Sequence, residues 1–221
     1  MAYRIGSVDR LVLGESFDSD PFLAAMPDYA LPADAIVPDV GAHIGTFSQL
    51  AAAKAPRGRV YAIEASRETF DLLTADVALS GLANIRADHL ALADREGAIE
   101  LHHDPDGNCG HSITAPLSGS SEWVAGTTLG QYLDTRDVRS VRVAKFSCEG
   151  AEFPTLLSSS GVVMARIERM IVLYHCDLVD ETPESLVSHL NAHGFATSIT
   201  NQTKDRGWIL ATRRPSGEAP P

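Results

Sequence analysis

The chain has 221 residues, 44% of them apolar and 21% charged, which is enough ordinary globular sequence to bury a sizeable core. With 18 Lys and Arg against 29 Asp and Glu, the net charge is −11. Charge of that sign repels phosphate backbones and anionic membrane surfaces, so neither nucleic acid nor membrane is expected as a partner.

The first 34 residues are broken by Asp20-Pro21, Met26-Pro27 and Leu31-Pro32 and read as a cover segment, with a short helix around Phe22 to Met26. From Ala35 the pattern alternates. Ile36–Val40 is a strand, although Pro38 demotes it as a central one. Thr46–Ala55 is a helix and Arg59–Ala65 a strand. The next helix starts at Ser66 and stops at Gly81, with Phe70, Leu73, Val77 and Ser80 on one face. Asn84–Ala93 reads as a third strand and Gly97–His103 as a fourth beside it.

Residues 104–126, rich in Gly, Ser, Pro and Asn, read as one long functional loop. A short helix (TTLGQYLDT), a strand (Val141–Ser147), a helix (AEFPTLLSS) and a strand (Arg169–His175) follow. Then comes a helix with Thr182 as its cap, Pro183 first and Gly194 as its stop. FATSIT and GWILATR form a closing hairpin, and RRPSGEAPP reads as a disordered tail. The expected organisation is a cover over 1–34, one α/β domain over 35–212 and a tail over 213–221. Strands alternating with helices predict a mostly parallel sheet, which binds ligands beyond the carboxyl ends of its strands.

Three cysteines, Cys109, Cys148 and Cys176, form no Cys-x-x-Cys pair. They argue against a disulfide framework and fit a reducing, cytoplasmic setting. The N-terminus lacks the apolar stretch of a signal peptide, and no window approaches the roughly 20 apolar residues of a membrane span.

Asp39-Val40-Gly41-Ala42-His43-Ile44-Gly45 leads from the first strand into a helix. Gly41 permits a tight turn and close approach of a ligand, and Gly45 permits close helix–strand contact. Glu64 closes the second strand, where a carboxylate can accept both ribose hydroxyls of an adenosine ligand. The Gly-x-Gly-x-x-Gly spacing that seats a pyrophosphate is absent, as is any Tyr-x-x-x-Lys pair. A dinucleotide is therefore disfavoured, and S-adenosylmethionine, which has no phosphate, fits better.

DVGAHIGTF, VYAIEAS, LALADREG, TTLGQYL and VAKFSCEGAEF, in this order, resemble the FkbM-type methyltransferases from about Ile36 to His175. The resemblance implies a class I methyltransferase fold, a mostly parallel seven-stranded sheet with an antiparallel last strand and helices on both faces. It also implies methyl transfer from S-adenosylmethionine to a hydroxyl of a sugar or natural-product intermediate. It places Asp39, Gly41, Ala42, His43 and Gly45 at the methionine end of the cofactor. Glu64 and Ala65 fall at the ribose, and Ala91 near the adenine. Ser147 stands where the family has Asp, and Tyr174 where it often has Glu. A strand edge without those carboxylates is a poor place for a divalent metal, and none is expected.

Transfer to an aliphatic hydroxyl needs a base. His175 is the first candidate, because it ends a strand beside Lys145–Ser147 and histidine titrates near neutral pH. Glu149 is the second, as base or as anchor for the substrate or cofactor amine, and Ser147 shares their strand edge. His111 in the long loop and Glu152 are candidate substrate contacts, though an exposed histidine and a helix-start carboxylate are the simpler readings of the two. The spacing of His102, His103, Cys109 and His111 matches no tight zinc template. Cys148 reads as a small buried apolar residue. Trp123 and Trp208 are candidates for a pocket wall, with Trp208 favouring core or rim packing. A small-molecule substrate is expected, and a homo-oligomer is open. Transfer to nitrogen on the same scaffold, or a methyltransferase-like module that binds without catalysis, are the alternatives.

Overall fold

Short runs of apolar residues leave their strands buried on both faces of one sheet. The computed structural model describes residues 1–19, 30–105 and 110–215. The expected helix around Phe22 to Met26, the last residues of the expected tail and Cys109 lie outside them. Seven strands form the main sheet: β1 (Ile36–Val40), β2 (Arg59–Glu64), β3 (Ile85–His89), β7 (Val141–Phe146), β8 (Ile167–His175), β9 (Phe195–Thr200) and β10 (Arg206–Arg213). Their order is β3-β2-β1-β7-β8-β10-β9. Pairing is parallel from β3 to β8, and β10 runs antiparallel to both neighbours.

Alternation within β2 shows how two layers share one strand. Val60 and Ala62 join a cluster with Phe47, Ala51 and Leu73. Tyr61 and Ile63 join the larger cluster with Tyr132, Phe146, Phe153 and Leu190. Helices α2 (Thr46–Lys54) and α3 (Arg67–Ser80) supply the first layer. Helices α4 (Leu129–Thr135), α5 (Glu152–Leu157), α6 (Gly161–Met164) and α7 (Pro183–Ala192) follow later in the chain, and α4, α5 and α7 supply the second. Ser66 caps α3 by accepting from the Thr69 N–H, and Gly81 ends it at φ 69°. Among the described residues no helix is long and apolar enough to cross a membrane.

Four local expectations change. Pro38 does sit in a central strand, but β1 registers with β7 only at Asp39 and Val40, past the proline. The third predicted strand breaks at Leu90 into β3 and a two-residue β4 (Ala91–Leu92). The fourth, β5 (Gly97–His102), does not pair with β3. It runs antiparallel to β6 (Ser121–Thr127), which pairs parallel with β4 in a separate three-stranded sheet. The predicted long loop therefore contains a strand. The reason is a small core of its own: Ile99, Leu101, Val124, Ala91 and Ala93 bury together. Gly126 makes room for it, since a Cβ there would meet Ile99 Cδ1 at 2.1 Å.

The N-terminal segment forms α1 (Asp9–Ser19), which periodicity did not reveal. Its weak apolar stripe is compensated by polar ties: Asp9 and Ser16 are buried, and Ser16 Oγ donates to Thr46 Oγ1 at 3.0 Å. At the other end β10 runs through Arg213, one residue past the expected limit of 212. Its guanidinium donates to the carbonyls of Met164, Ile167 and His193.

Gly41 has φ 72°, and a Cβ there would stand 1.9 Å from the Ser147 carbonyl oxygen. The close approach expected of a ligand is thus made by the neighbouring strand end. Replacing Gly41 with alanine adds an unfavourable φ to a clash with backbone. We expect Gly41→Ala to lose at least about 2 kcal/mol, read as a lowered urea midpoint. Gly81→Ala, where a Cβ meets nothing within 4 Å, should lose less.

Candidate active site

Because β1, β2, β7 and β8 are parallel, their carboxyl ends open on one edge, and there the structure has a cavity of about 370 Å³, within the range of small-molecule sites. Its lining includes Gly41, Ala42, His43, Glu64, Ala65 and Ala91 of the expected cofactor residues. It also includes Ser147, Glu149, His175 and His111. Asp39, Gly45 and Glu152 stand behind the wall.

Glu64 is held from both sides. Oε2 accepts from the His43 N–H and Oε1 from the Ser66 N–H, each at 2.9 Å. Each oxygen keeps a second lone pair for a hydroxyl donor. Ile63, Leu90, Ala91 and Leu92 form the apolar wall beside it.

Asp39 does not reach the cavity. It is fully buried, accepts from Ser48 Oγ at 2.6 Å and pairs with Lys145 Nζ at 2.9 Å. Lys145 Nζ also donates to the Gly41 carbonyl at 2.6 Å. The pair therefore ties the glycine turn to β7. No role was assigned to Lys145 from sequence. The signal was a Lys in VRVAKF and an Asp in IVPDV, since two buried charges in apolar strands must find partners. Gly45 serves helix–helix rather than helix–strand packing, because a Cβ there would meet Leu73 of α3 at 2.5 Å.

His43 adopts φ 53°, and its Nε2 lies 3.1 Å from Asp9 Oδ1. Arg4 donates to Asp9 and to Thr69. Burial opposes the charge on Asp9, but His43 and Arg4 outweigh it and hold the carboxyl far below the usual range. Through these ties α1 reaches the site, and Val12 and Ser16 join the cavity wall.

The other end of the cavity is built on His175, which is 1% exposed. Its Nδ1 lies 3.1 Å from Glu152 Oε1 and its Nε2 3.2 Å from Glu149 Oε1. Burial alone would lower its pKa, but hydrogen bonds to the two carboxylates prevail and raise it to about 9. Both ring nitrogens of His175 are thus engaged by carboxylates, an arrangement that favours the protonated ring over the free base expected at this position. Glu152 is 0% exposed and does not line the cavity, contrary to its expected place at a substrate. Its oxygens accept from the His175 N–H, the Gly150 N–H and Cys148 Sγ.

Glu149 keeps its place on the wall. Its backbone is left-handed, with φ 49°. Its Oε2 is buried and accepts no hydrogen bond among the described residues, with Arg206 Nη2 3.7 Å away. Arg206 is clamped on Asp177 by two bonds of 3.2 and 2.8 Å. Neither Arg206 nor Asp177 was singled out from sequence, since only the closing hairpin brings them to this strand end.

Burial first, then the neighbouring His103, lower the pKa of His111 to about 4, so this cavity histidine is neutral. Its Nδ1 accepts from the Asp104 N–H at 3.1 Å. The Cys148 thiol is pushed up by burial and by Glu152, which leaves it no nucleophile. Tyr174 points to the opposite face of β8, into the main core. Trp208 packs against Val143 and Ile171, as expected of it, and also lines the cavity, while Trp123 is 69% exposed on β6 and is no part of that wall. Among the described residues no group of three or more His, Cys, Asp or Glu is arranged to hold a metal ion.

The strand order of this sheet, mostly parallel with β10 antiparallel to its neighbours, is that of a class I methyltransferase fold. Residues 39–196 match the model of the methyltransferase FkbM domain, and the chain belongs to that family. Its cofactor is accordingly S-adenosylmethionine.

The chain is similar to the AMB antimetabolite synthetase AmbE of Pseudomonas aeruginosa PAO1, 25% identical over 211 residues that cover 76% of this chain. It spans only 10% of that relative's length. Among solved structures, precorrin-6y C5,15-methyltransferase of Geobacter metallireducens superposes with a TM-score of 0.55 at 13% identity, over 88% of this chain and 89% of that one. Magnesium protoporphyrin IX methyltransferase of Synechocystis PCC 6803, solved with bound S-adenosylhomocysteine, gives 0.55 at 12% identity, over 97% and 90%. TrmK of M. capricolum, solved with the same product, gives 0.53 at 8%, over 87% and 67%. At such identities the likeness is one of fold.

The raised pKa of His175 couples folding to proton uptake. The stabilisation is complete below about pH 6.5 and is lost as pH rises through about 9. Urea unfolding should register a loss on the order of 3 kcal/mol across that window, and His175→Gln should flatten it.

Proposed function

We propose that this methyltransferase acts on a hydroxyl oxygen of a small molecule, with Glu149 as the group that receives the hydroxyl proton. One observation carries the reading: Glu149 lines the cavity, and its buried Oε2 accepts no hydrogen bond among the described residues. A buried acceptor left empty costs free energy, and an O–H donor from a substrate relieves it. Similarity to a segment of an antimetabolite synthetase supports a natural-product acceptor.

The cavity's residues fit the cofactor. Glu64 and Ala65 would hold its ribose, Leu90, Ala91 and Leu92 its base, and the turn from Gly41 to His43 its methionine end. When bound, S-adenosylmethionine supplies a methyl group on a positively charged sulfur that is already a good leaving group. The protein's tasks are then alignment, worth roughly 7–11 kcal/mol in favourable cases, and removal of one proton. An alcohol oxygen becomes strongly acidic as it gains a methyl group, so a carboxylate suffices as its base. His175, already protonated, holds Oε1 of Glu149 and leaves Oε2 to the acceptor. Ser147 and His111 line the same space as hydrogen-bonding groups for the acceptor. Trp208 and Leu173 give it an apolar wall.

The test is methyl transfer to a panel of hydroxylated sugars, amino acids and phenols, followed by S-adenosylhomocysteine release and product mass. An O-methyl product is expected, and Glu149→Gln should lower kcat roughly 100-fold or more. Methyl found only on nitrogen or carbon, or full rate in Glu149→Gln, overturns the reading. Separately, Glu64→Ala should weaken S-adenosylhomocysteine about 10- to 100-fold in calorimetry, the loss expected for hydrogen bonds to a charged group.

A further inference from the structure

Glu149 is one of four non-glycine residues with positive φ among the described residues, and a conformation of that kind persists only where the surroundings enforce it. The enforcing groups come from residues 110–115, distant in sequence. Ser112 is fully buried, and its Oγ donates to the Glu149 carbonyl at 2.7 Å. Thr114 Oγ1 stands 3.4 Å from the same carbonyl and 2.9 Å from Ser112 Oγ. Ser112 Oγ is itself fixed by the N–H groups of Thr114 and Ala115. A bridge between Ser112 and His102 anchors the segment to β5.

Gly150 completes the fit. It has φ 93°, and a Cβ there would meet Thr114 Oγ1 at 2.3 Å. The segment also alternates: His111 and Ile113 line the cavity, while Ser112 and Thr114 face the Glu149 carbonyl.

We propose that Ser112 and Thr114 are positioning residues whose hydroxyls, closed on the Glu149 carbonyl, hold its backbone left-handed and so aim its carboxylate at His175 and the cavity. The inference rests on the place given to Glu149 above. It adds that the segment walling the acceptor space also sets the carboxylate.

The sensitive readout is His175, because its protonation reports whether the Glu149 carboxylate is in place, and no acceptor is needed to measure it. Its ring nitrogens are titrated by ¹⁵N NMR in the wild type, Glu149→Gln, Ser112→Ala, Thr114→Val and the last two combined, each with S-adenosylhomocysteine added. Glu149→Gln sets the full downward displacement. The combined variant is expected to give at least half of it, Thr114→Ser to restore the wild-type value, and the combined variant placed on Glu149→Gln to add nothing.

A wild-type titration in the combined variant overturns the proposal, and so does an equal displacement on the Glu149→Gln background, because the hydroxyls would then act by another route. If Ser112→Ala does not fold, Thr114→Val is read alone under the same criteria. This failure is separable from that of the functional reading. Loss of turnover in Glu149→Gln with an unmoved His175 in the hydroxyl variants rejects only the positioning role. Full turnover in Glu149→Gln rejects the function.

Discussion

A protonated histidine wedged between two carboxylates governs the working end of this molecule. Desolvation works against every member of the Glu149–His175–Glu152 set, and such arrangements are weak sources of net stability. What the set provides is definition. Glu152, buried behind the wall, fixes both the end of β8 and the ring of His175. The ring then fixes one oxygen of Glu149 and leaves the other, buried, without a hydrogen bond among the described residues. Arg206, tied to Asp177, brings a second positive charge to that oxygen from the closing hairpin. Charges alternate along the row, and only its most exposed face meets the ligand space.

The end of the cavity proposed to hold the cofactor follows a different physical logic. There the backbone does the work: a glycine turn pressed against the Ser147 carbonyl, a lysine bridging Asp39 and the Gly41 carbonyl, and a glutamate gripped by two N–H groups. Together these contacts hold the turn, the end of β7 and the Glu64 carboxylate in one arrangement. The parallel sheet explains why both ends share one edge, since every strand from β3 to β8 delivers its carboxyl terminus to the same side.

Much of this was legible from the chain. The place of Glu64 at the end of β2 and beside the glycine turn was identifiable from the strand pattern. Gly41 and Gly45 were identifiable as special, but not the neighbours that require them: Ser147 lies far along the sequence, and Leu73 belongs to another helix. His175 was legible as a site residue and illegible in its charge. Trp123 and Trp208 look alike in sequence, yet one lies on the solvent face of a small sheet and the other faces the cavity. The β6 strand was hidden by its serine- and glycine-rich surroundings, because its apolar content is meagre until Ile99 and Leu101 pack against it.

By itself the sequence determined the alternation of strands and helices, the turn after β1 and the order in which the family's motifs arrive, because these depend on residues close together along the chain. Tertiary structure alone decided which charges meet. Asp39 and Lys145 share a register across β1 and β7, and Ser112 reaches Glu149 from a segment bridged to β5. Protonation of His175 depends on two carboxylates about 3 Å from its ring. Electrostatic energy is set by distance and by burial, and linear order encodes neither until the sheet has formed.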